Sequence, residues 1–155
     1  MSILVRLLKN WGGARVSEQK QQKIVIVSAS RKTAIARAVI REGKGRFRVN
    51  GVPIEIFPNE MTRLIMLEPL YIVGDKIRSK IDIDVYVSGG GYVSQAKAVR
   101  TAVARGILEF FDDNETIRSL YIEYDRTLLA GDPRQTEPEK WMRYSARRFR
   151  QKSYR

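Results

Sequence analysis

The chain has 155 residues, of which 43% are hydrophobic, and its formal net charge at neutral pH is +12. This length and composition suffice for one domain with a hydrophobic core plus extensions, which excludes a wholly disordered basic chain. The absence of Cys and His excludes disulfides and catalysis that depends on either residue, and it removes both ligand types that zinc prefers.

The excess positive charge is concentrated at the C-terminus. Residues 133–155 contain eight Lys or Arg and two Glu, and from residue 140 onward seven cations are interspersed with four aromatic residues and no acid. Cations neutralise phosphates, while rings and guanidinium planes stack on exposed bases. The tail therefore predicts RNA binding, and a run of charge that only increases solubility is the simpler alternative.

Residues 1–22 are interpreted as an N-terminal extension. Their apolar stretch is interrupted by Arg6 and is too short to span a bilayer, so no membrane partner is predicted. An amphipathic turn docked on the domain and a poorly ordered leader both fit this segment. The apolar residues with helical spacing are Leu4, Leu7, Leu8 and Trp11.

The folded part is predicted to begin with strands at residues 24–27 and 33–41, although the Ala-rich spacing of the second also fits a helix. Asn50-Gly51 is typical of a two-residue hairpin loop, here between a strand at 46–49 and a return strand at 52–57. This register pairs Val49 with Val52, Phe47 with Ile54 and Arg46 with Glu55. Pro53 marks the return strand as an edge.

A helix, a strand and two further helices follow in the prediction. Asn59 is the N-cap of a helix that ends before Pro69, with a second short helix to about Val73. Residues 81–87 alternate between aliphatic and polar side chains, which predicts a half-buried strand. A long helix covers about residues 93–111, and another covers 114–123. The buried side of this last helix is predicted to contain Ile117, Leu120 and Tyr121.

Two acidic residues on the predicted strand raise the question of a metal site. Asp82 and Asp84 lie on the same face of the strand, so they fit a metal pair. More commonly, such residues are the solvated face of a half-buried strand. No metal and no cofactor are predicted.

Three groups outside the tail are candidates for phosphate binding. Gly89, Gly90 and Gly91 precede the long helix, where bare backbone can approach phosphate, but a tight turn with positive φ explains them more simply. A cluster at a strand entry fits either a phosphate site or a solvated loop, and it consists of Arg31, Lys32 and Arg37. Arg48 faces Pro53 without an acidic partner, so it is a better RNA candidate than Arg46, which can pair with Glu55.

Several ordered motifs resemble the family of the ninth protein of the small ribosomal subunit. They are RKTAIAR at 31–37, VNG at 49–51, the glycine loop followed by Gln95-Ala96 and Ala104-Arg105-Gly106, Asp132-Pro133-Arg134, and the ending QKSYR at 151–155. The resemblance covers about residues 23–155, and the ending is similar to that of archaeal and eukaryotic members. Ser94 stands where the family usually has Gly, and residues 1–22 extend beyond the common region.

The resemblance implies an α/β (α+β) domain at residues 23–131 and an extended basic tail at 132–155. The domain is expected to have a mixed four-stranded sheet with helices on one face, similar to the second domain of ribosomal protein five. The implied role is a structural constituent of the small subunit in the cytoplasm. The implied partners are small-subunit rRNA, neighbouring proteins of the subunit head and peptidyl-site tRNA.

The resemblance and the charge pattern together assign contact residues. Contact with tRNA is assigned to Ser153, Tyr154 and Arg155. Contact with rRNA is assigned to Arg31, Lys32, Arg37, Arg48, Gly89, Gly90, Gly91, Arg100, Arg105, Arg134, Lys140, Arg143, Arg147, Arg148, Arg150 and Lys152.

Two other functions remain open at this point. One is a phosphotransferase-type enzyme on the same fold, with the glycine loop holding phosphate, and the other is a free RNA chaperone or processing factor. The sequence has no Walker-type Lys-Ser/Thr after the glycines and no general base in a suitable constellation. Enzymatic activity is therefore not predicted, and fold alone does not decide between the other roles.

Overall fold

A computed structural model describes residues 23–154, so the predicted extension at 1–22 and the terminal Arg155 lie outside the described residues. Five strands and five helices occur in this part of the chain. They are β1 (Ile24–Arg31), β2 (Ala34–Glu42), β3 (Phe47–Val49), β4 (Val52–Pro53), α1 (Glu60–Val73), α2 (Asp75–Arg78), β5 (Ile81–Ser88), α3 (Tyr92–Phe110), α4 (Glu115–Tyr124) and α5 (Thr127–Ala130).

The strands form one mixed sheet in the order β1-β2-β5-β3-β4. β2 pairs antiparallel with both β1 and β5, whereas β3 pairs parallel with β5. β4 contributes two residues at the edge and pairs with β3. The predicted α/β class and mixed sheet are confirmed, and β4 adds a fifth, very short strand to the four that were expected.

The helices pack on one face of the sheet. Along β2, Ala34, Ala36, Ala38 and Ile40 are buried, while the residues between them are exposed or half-buried. α3 packs across β1 and β2 on the buried face, and α1 packs against α3. Gly106 permits close packing of α3, because a Cβ there would lie 2.6 Å from Ile40 Cδ1. The opposite surface, which we call the open sheet face, is not covered by any described element.

The hairpin departs from prediction after Pro53. Val49 and Val52 pair as expected, but the return strand ends at Pro53 and Ile54–Ile56 form a 3-10 turn. The side chain of Ile54 is 1% exposed, because the turn directs it into the core instead of along the sheet edge. The predicted pairs Phe47–Ile54 and Arg46–Glu55 are therefore wrong.

α1 continues through Pro69, so the predicted break and second short helix are wrong. Proline removes one backbone hydrogen bond from a helix interior. In this helix Pro69 is buried, and its carbonyl accepts a hydrogen bond from the Tyr121 hydroxyl at 3.1 Å. Tertiary packing therefore outweighs the local preference. The predicted N-cap is confirmed, because the Asn59 side chain accepts a hydrogen bond from the Thr62 amide.

α4 buries a narrower stripe than predicted. Ile117 and Tyr121 face the core, one turn apart, but Leu120 is 40% exposed. The short helix α5 follows and was not predicted; it inserts Leu128 into the core. Among residues 23–154, no helix has the combination of length and apolar character that crossing a bilayer requires.

Candidate nucleic-acid interface

The basic tail leaves the domain at a fixed point, which we call the tail root and define by Arg31, Asp132 and Arg134. Arg31 lies 2.9 Å from the Asp132 carboxylate through Nη2, and its Nη1 donates to the Arg134 carbonyl at 2.7 Å. Arg134 binds the same carboxylate through Nε and Nη2. Its hydrogen bonds hold the pKa of Asp132 well below the usual range, so the tail root remains an ion pair at neutral pH.

Two further arginines stabilise the segment before the tail root. Arg105 donates to the carbonyls of Leu129 and Ala130 at 2.7 and 2.9 Å, which satisfies the C-terminal end of α5. Arg100 bridges two carboxylates: its Nε lies 2.5 Å from Glu68 and its Nη2 lies 2.8 Å from Asp125.

The predicted rRNA residues Arg31, Arg100 and Arg105 thus have guanidinium groups in internal contacts. The side chains of Arg31 and Arg100 are only 11% and 14% exposed. Their contacts fix the path of the chain into the tail. The exposed Lys97 of α3 lines the same cleft as Arg31 and Arg100. No role was predicted for Lys97, although it lies off the apolar stripe of its helix.

The glycine loop lies beside the turn that joins β1 to β2. Gly89 and Gly90 have φ values of 75° and 65°. A Cβ on Gly89 would lie 2.5 Å from the Thr33 carbonyl oxygen, whereas a Cβ on Gly91 would meet nothing within 4 Å. Tight packing therefore explains Gly89, and the open position of Gly91 at the start of α3 leaves room for a phosphate. Lys32 is exposed on the neighbouring turn.

A substitution pair separates these two roles. Gly89→Ala is expected to lower the free energy of unfolding by about 1–3 kcal/mol, because it adds a Cβ at positive φ against a carbonyl. Gly91→Ala, the matched control, is expected to leave stability nearly unchanged. Urea unfolding of both variants measures this, and equal stability of the two proteins would contradict a tight turn at Gly89. Reduced rRNA affinity of Gly91→Ala at unchanged stability would support phosphate binding there.

The tail itself is exposed and carries cations next to rings. Within it, Arg143 and Phe149 form an antiparallel bridge, and the Arg143 guanidinium lies 4.2 Å from the Phe149 ring centre. Arg148 and Arg150 lie 5.8 and 5.7 Å from the Tyr144 ring centre. Apart from this bridge, the described tail has no helix or strand, in agreement with the predicted extended tail.

The remaining predicted tail residues also lie at the surface. Lys140, Lys152, Ser153 and Tyr154 are exposed. Arg147 is exposed as well and donates to Glu137 at 2.7 Å. Arg155, predicted to contact tRNA, lies outside the described residues.

Arg37 and Arg48 lie on the open sheet face, and both are exposed. Arg46, which was expected to pair with Glu55, binds Asp82 through Nε at 3.0 Å and Nη2 at 2.7 Å. The Asp82 carboxylate also accepts hydrogen bonds from the backbone amides of Lys44 and Arg46. Asp82 is therefore a buried structural acceptor and not the solvated residue that was expected. The described residues contain no group of three acidic side chains placed to hold a metal ion.

The Asp82 contacts make a prediction about acid stability. Burial raises the pKa of Asp82, but hydrogen bonds from Arg46 and from the Lys44 amide outweigh burial and lower the pKa to about 2. The ionised form thus favours folding, and this stabilisation is complete above about pH 4, the usual pKa of an aspartate, and is lost as the pH falls towards 2. Asp82→Asn is expected to lower the free energy of unfolding at pH 7 by about 1.5–3 kcal/mol.

The measurement is urea unfolding of Asp82→Asn and wild type from pH 7 down to pH 2, and the difference between them should shrink below pH 4. Asp112→Asn is the control: Asp112 pairs with Lys23 at the surface, and its loss should change stability by no more than about 0.5 kcal/mol. A constant difference across the pH range would show that Asp82 acts through packing and not through charge.

Sequence comparison decides the family. The sequence model of the family described as Ribosomal protein S9/S16 matches residues 29–155. The chain belongs to this family.

Curated relatives agree with the family match. The chain is 55% identical to small ribosomal subunit protein uS9 of Aeropyrum pernix over 148 residues, which cover 86% of this chain and 98% of that protein. It is 58% identical to uS9 of Saccharolobus solfataricus over 136 residues, covering 88% of this chain and 98% of the relative. It is also 58% identical to uS9 of Desulfurococcus amylolyticus over 133 residues, covering 86% and 94% of the two chains.

The resemblance inferred from the motifs is therefore confirmed. The part of the chain that matches the S9/S16 family contains every residue predicted to contact rRNA or tRNA, from Arg31 to Arg155, and it begins after the predicted extension at 1–22. The archaeal source of these relatives also agrees with the branch to which the ending QKSYR was assigned.

Proposed function

We propose that this member of the ribosomal S9/S16 family binds small-subunit rRNA through its tail and adjacent cations, and contacts peptidyl-site tRNA through its last residues. The family and the uS9 relatives make the chain a structural constituent of the small ribosomal subunit and not an enzyme. Its partners are rRNA and ribosomal proteins. The finer assignments, including the subunit head and a cytoplasmic location, belong to the proposal.

The exposed tail is the observation that carries the proposal. Trp141, Phe149 and Tyr154 are 88%, 71% and 88% exposed, and cations lie between them along the chain. Exposed rings gain little from contact with water. RNA offers a partner to both kinds of side chain, because its bases stack on rings and its phosphates bind cations. The tail root fixes where this segment leaves the domain, which lowers the conformational cost of placing it on RNA.

The predicted rRNA residues divide into two groups by their contacts. Direct contact is proposed for the exposed Lys32, Arg37, Arg48, Gly89, Gly90, Gly91, Lys140, Arg147, Arg148, Arg150 and Lys152. It is also proposed for Arg143, which is half-buried and donates to the Ala146 carbonyl through Nη1. Positioning of the tail, through the internal bonds described above, is proposed for Arg31, Arg100, Arg105 and Arg134. Exposed guanidinium and ammonium groups can bind phosphates, because they still have free N–H donors.

Contact between the tail and rRNA can be tested with a probe at one position. Because the chain has no Cys, a single introduced thiol is the one site that the probe labels. Gln151→Cys in the tail and Ser119→Cys on α4, each carrying an iron chelate that releases hydroxyl radicals, are assembled into small subunits. Gln151 and Ser119 are both exposed. Strong rRNA cleavage from position 151 and weak cleavage from position 119 are expected. Equal cleavage from the two positions in fully assembled subunits would contradict contact through the tail.

A further inference from the structure

Tyr86 lies in the middle of the open sheet face and has no role in the function proposed above. It belongs to β5, the central strand of the sheet, and it is 62% exposed. Arg37 on β2 is its direct cross-strand partner. On the other side, Arg48 on β3 pairs with Asp84, two residues before Tyr86 on β5. The ring therefore lies between two cations on the face opposite the helices.

The charges on this face favour an anionic partner. Both acids of β5 that share the face are already paired, Asp82 with Arg46 and Asp84 with Arg41. Arg37 and Arg48 form no ion pair within residues 23–154. Around Tyr86, the charged groups left to bind a partner are thus two guanidinium groups, one on each side of the aromatic ring.

The spacing of these groups fits RNA with an unpaired base. Arg37 lies directly opposite Tyr86 on an antiparallel strand, where Cβ atoms are about 5 Å apart. Arg48 is a diagonal neighbour on the parallel strand β3. A base stacked on the Tyr86 ring therefore brings its own phosphates within reach of both long side chains. A duplex does not present a base face in this way, whereas loops, bulges and single strands do. Rings on a sheet surface are also used for base stacking in other RNA-binding modules.

A protein partner fits this part of the face less well. The exposed aliphatic residues Ile24 and Ile26 are 58% and 69% exposed, but they lie on the edge strand β1, two strands from β5. Closer to the ring, Ile35 on β2 is 48% exposed and pairs with Ser88, but it is a single exposed aliphatic side chain beside one aromatic ring and two cations. Charge complementarity therefore selects RNA as the occupant of this part.

We propose that Tyr86 stacks on an unpaired base of small-subunit rRNA, with Arg37 and Arg48 bound to the phosphates beside that base. This inference rests on the proposed function, because it assumes that the chain binds rRNA. It adds a second contact surface, on the sheet, that is separate from the tail.

The test compares Tyr86→Leu, Tyr86→Phe and a matched control, Tyr71→Leu. Tyr71 is 58% exposed on α1, on the helical side of the domain, so the control removes an equally exposed ring far from the proposed contact. The probe is full-length small-subunit rRNA, titrated at one fixed salt concentration. Tyr86→Leu is expected to weaken binding roughly 5- to 100-fold, the range for losing one stacked base, and the other two variants should remain within about twofold of wild type.

Three outcomes would overturn the inference. Equal rRNA affinities of Tyr86→Leu and Tyr71→Leu would exclude stacking at Tyr86. Binding of rRNA by the wild-type chain would still support the proposed function in that case. A loss in Tyr86→Phe as large as in Tyr86→Leu would assign the contact to the hydroxyl and not to the ring. If Tyr86→Leu binds rRNA as tightly as wild type but is poorly incorporated into subunits, the partner of this face is a protein and not RNA. Failure of the wild-type chain to bind rRNA would instead contradict the proposed function itself.

Photocrosslinking gives a second readout that does not depend on affinity. Irradiation of assembled subunits is expected to join Tyr86 to a nucleotide in a loop or bulge, and peptide mapping would identify the site. A crosslink from Tyr86 to a neighbouring protein would overturn the inference. Because Tyr86 is exposed, its replacement should leave the midpoint of urea unfolding unchanged, which separates loss of contact from loss of fold.

Discussion

Raising the salt concentration from 50 to 200 mM is expected to weaken binding of the isolated chain to small-subunit rRNA by about a thousandfold. Each phosphate that a cation neutralises releases condensed counterions, so affinity falls steeply with salt. Six cations lie between residues 140 and 152 alone, and neutralisation of roughly six phosphates gives an effect of this size. Filter binding or fluorescence anisotropy across a salt series measures the slope directly.

Two double variants with the same change in charge locate the effect. Arg148→Gln with Arg150→Gln removes two tail cations, and Lys76→Gln with Arg118→Gln removes two exposed cations from the helical side. The tail variant is expected to reduce the slope of log affinity against log salt by about 1.5–2, because each lost phosphate contact contributes just under one. The control should retain the wild-type slope.

A nearly flat titration of the wild-type chain would contradict phosphate-dominated binding altogether. Equal slopes for the two double variants would instead show that the phosphate contacts lie outside the tail. The two results therefore test separate parts of the proposed function.

Local signals in the sequence predicted local structure well. Asn50-Gly51 determined the turn and the pairing of Val49 with Val52, because positive φ at both loop positions suits those two residues. Alternation of side chains identified β5, and spacing by three and four residues identified α3. In each case the physical cause acts within a few residues, so the sequence contains it completely.

The errors arose where distant contacts outweigh local preference. Pro69 normally ends a helix, but it is buried against α4 and bonded to Tyr121, 52 residues later. Ile54 leaves the sheet edge because the core takes up its side chain. Asp82 was expected on the solvated face of its strand, because its bonds to Lys44 and Arg46 cross about 40 positions of sequence.

The candidate site shows the same division. Composition alone identified the tail, since charge and aromatic content are properties of the segment itself. The contact of Arg31 with Asp132 joins residues 101 positions apart, and no local pattern distinguishes Arg31 from the exposed Lys32 beside it. Tyr86 had a visible signal, an aromatic residue on the polar side of a half-buried strand, but its two flanking cations become apparent only when the sheet order is known.

Deletion of residues 153–155 is expected to weaken tRNA held in the peptidyl site by about 1–3 kcal/mol, the range for losing a charge-assisted hydrogen bond. Arg155 can present a guanidinium fork to a phosphate, and Tyr154 can stack or donate a hydrogen bond beside it. Ser153 and Tyr154 are exposed and make no contact with the core, so the fold and subunit assembly should be unaffected. The measurement is the dissociation rate of tRNA from programmed small subunits, which should rise roughly 5- to 150-fold.

Two variants and one probe make the result specific to the chain end. Arg155→Gln tests the guanidinium alone and should reproduce most of the change, whereas Lys76→Gln on α2 removes one exposed cation elsewhere and should leave the rate unaltered. An iron chelate on Ser153→Cys is expected to cleave the anticodon stem-loop of the bound tRNA, because hydroxyl radicals act only over a short distance. Unchanged dissociation in the deletion, with normal assembly and no cleavage of tRNA from position 153, would show that the tail ends on rRNA and that Ser153, Tyr154 and Arg155 do not contact tRNA.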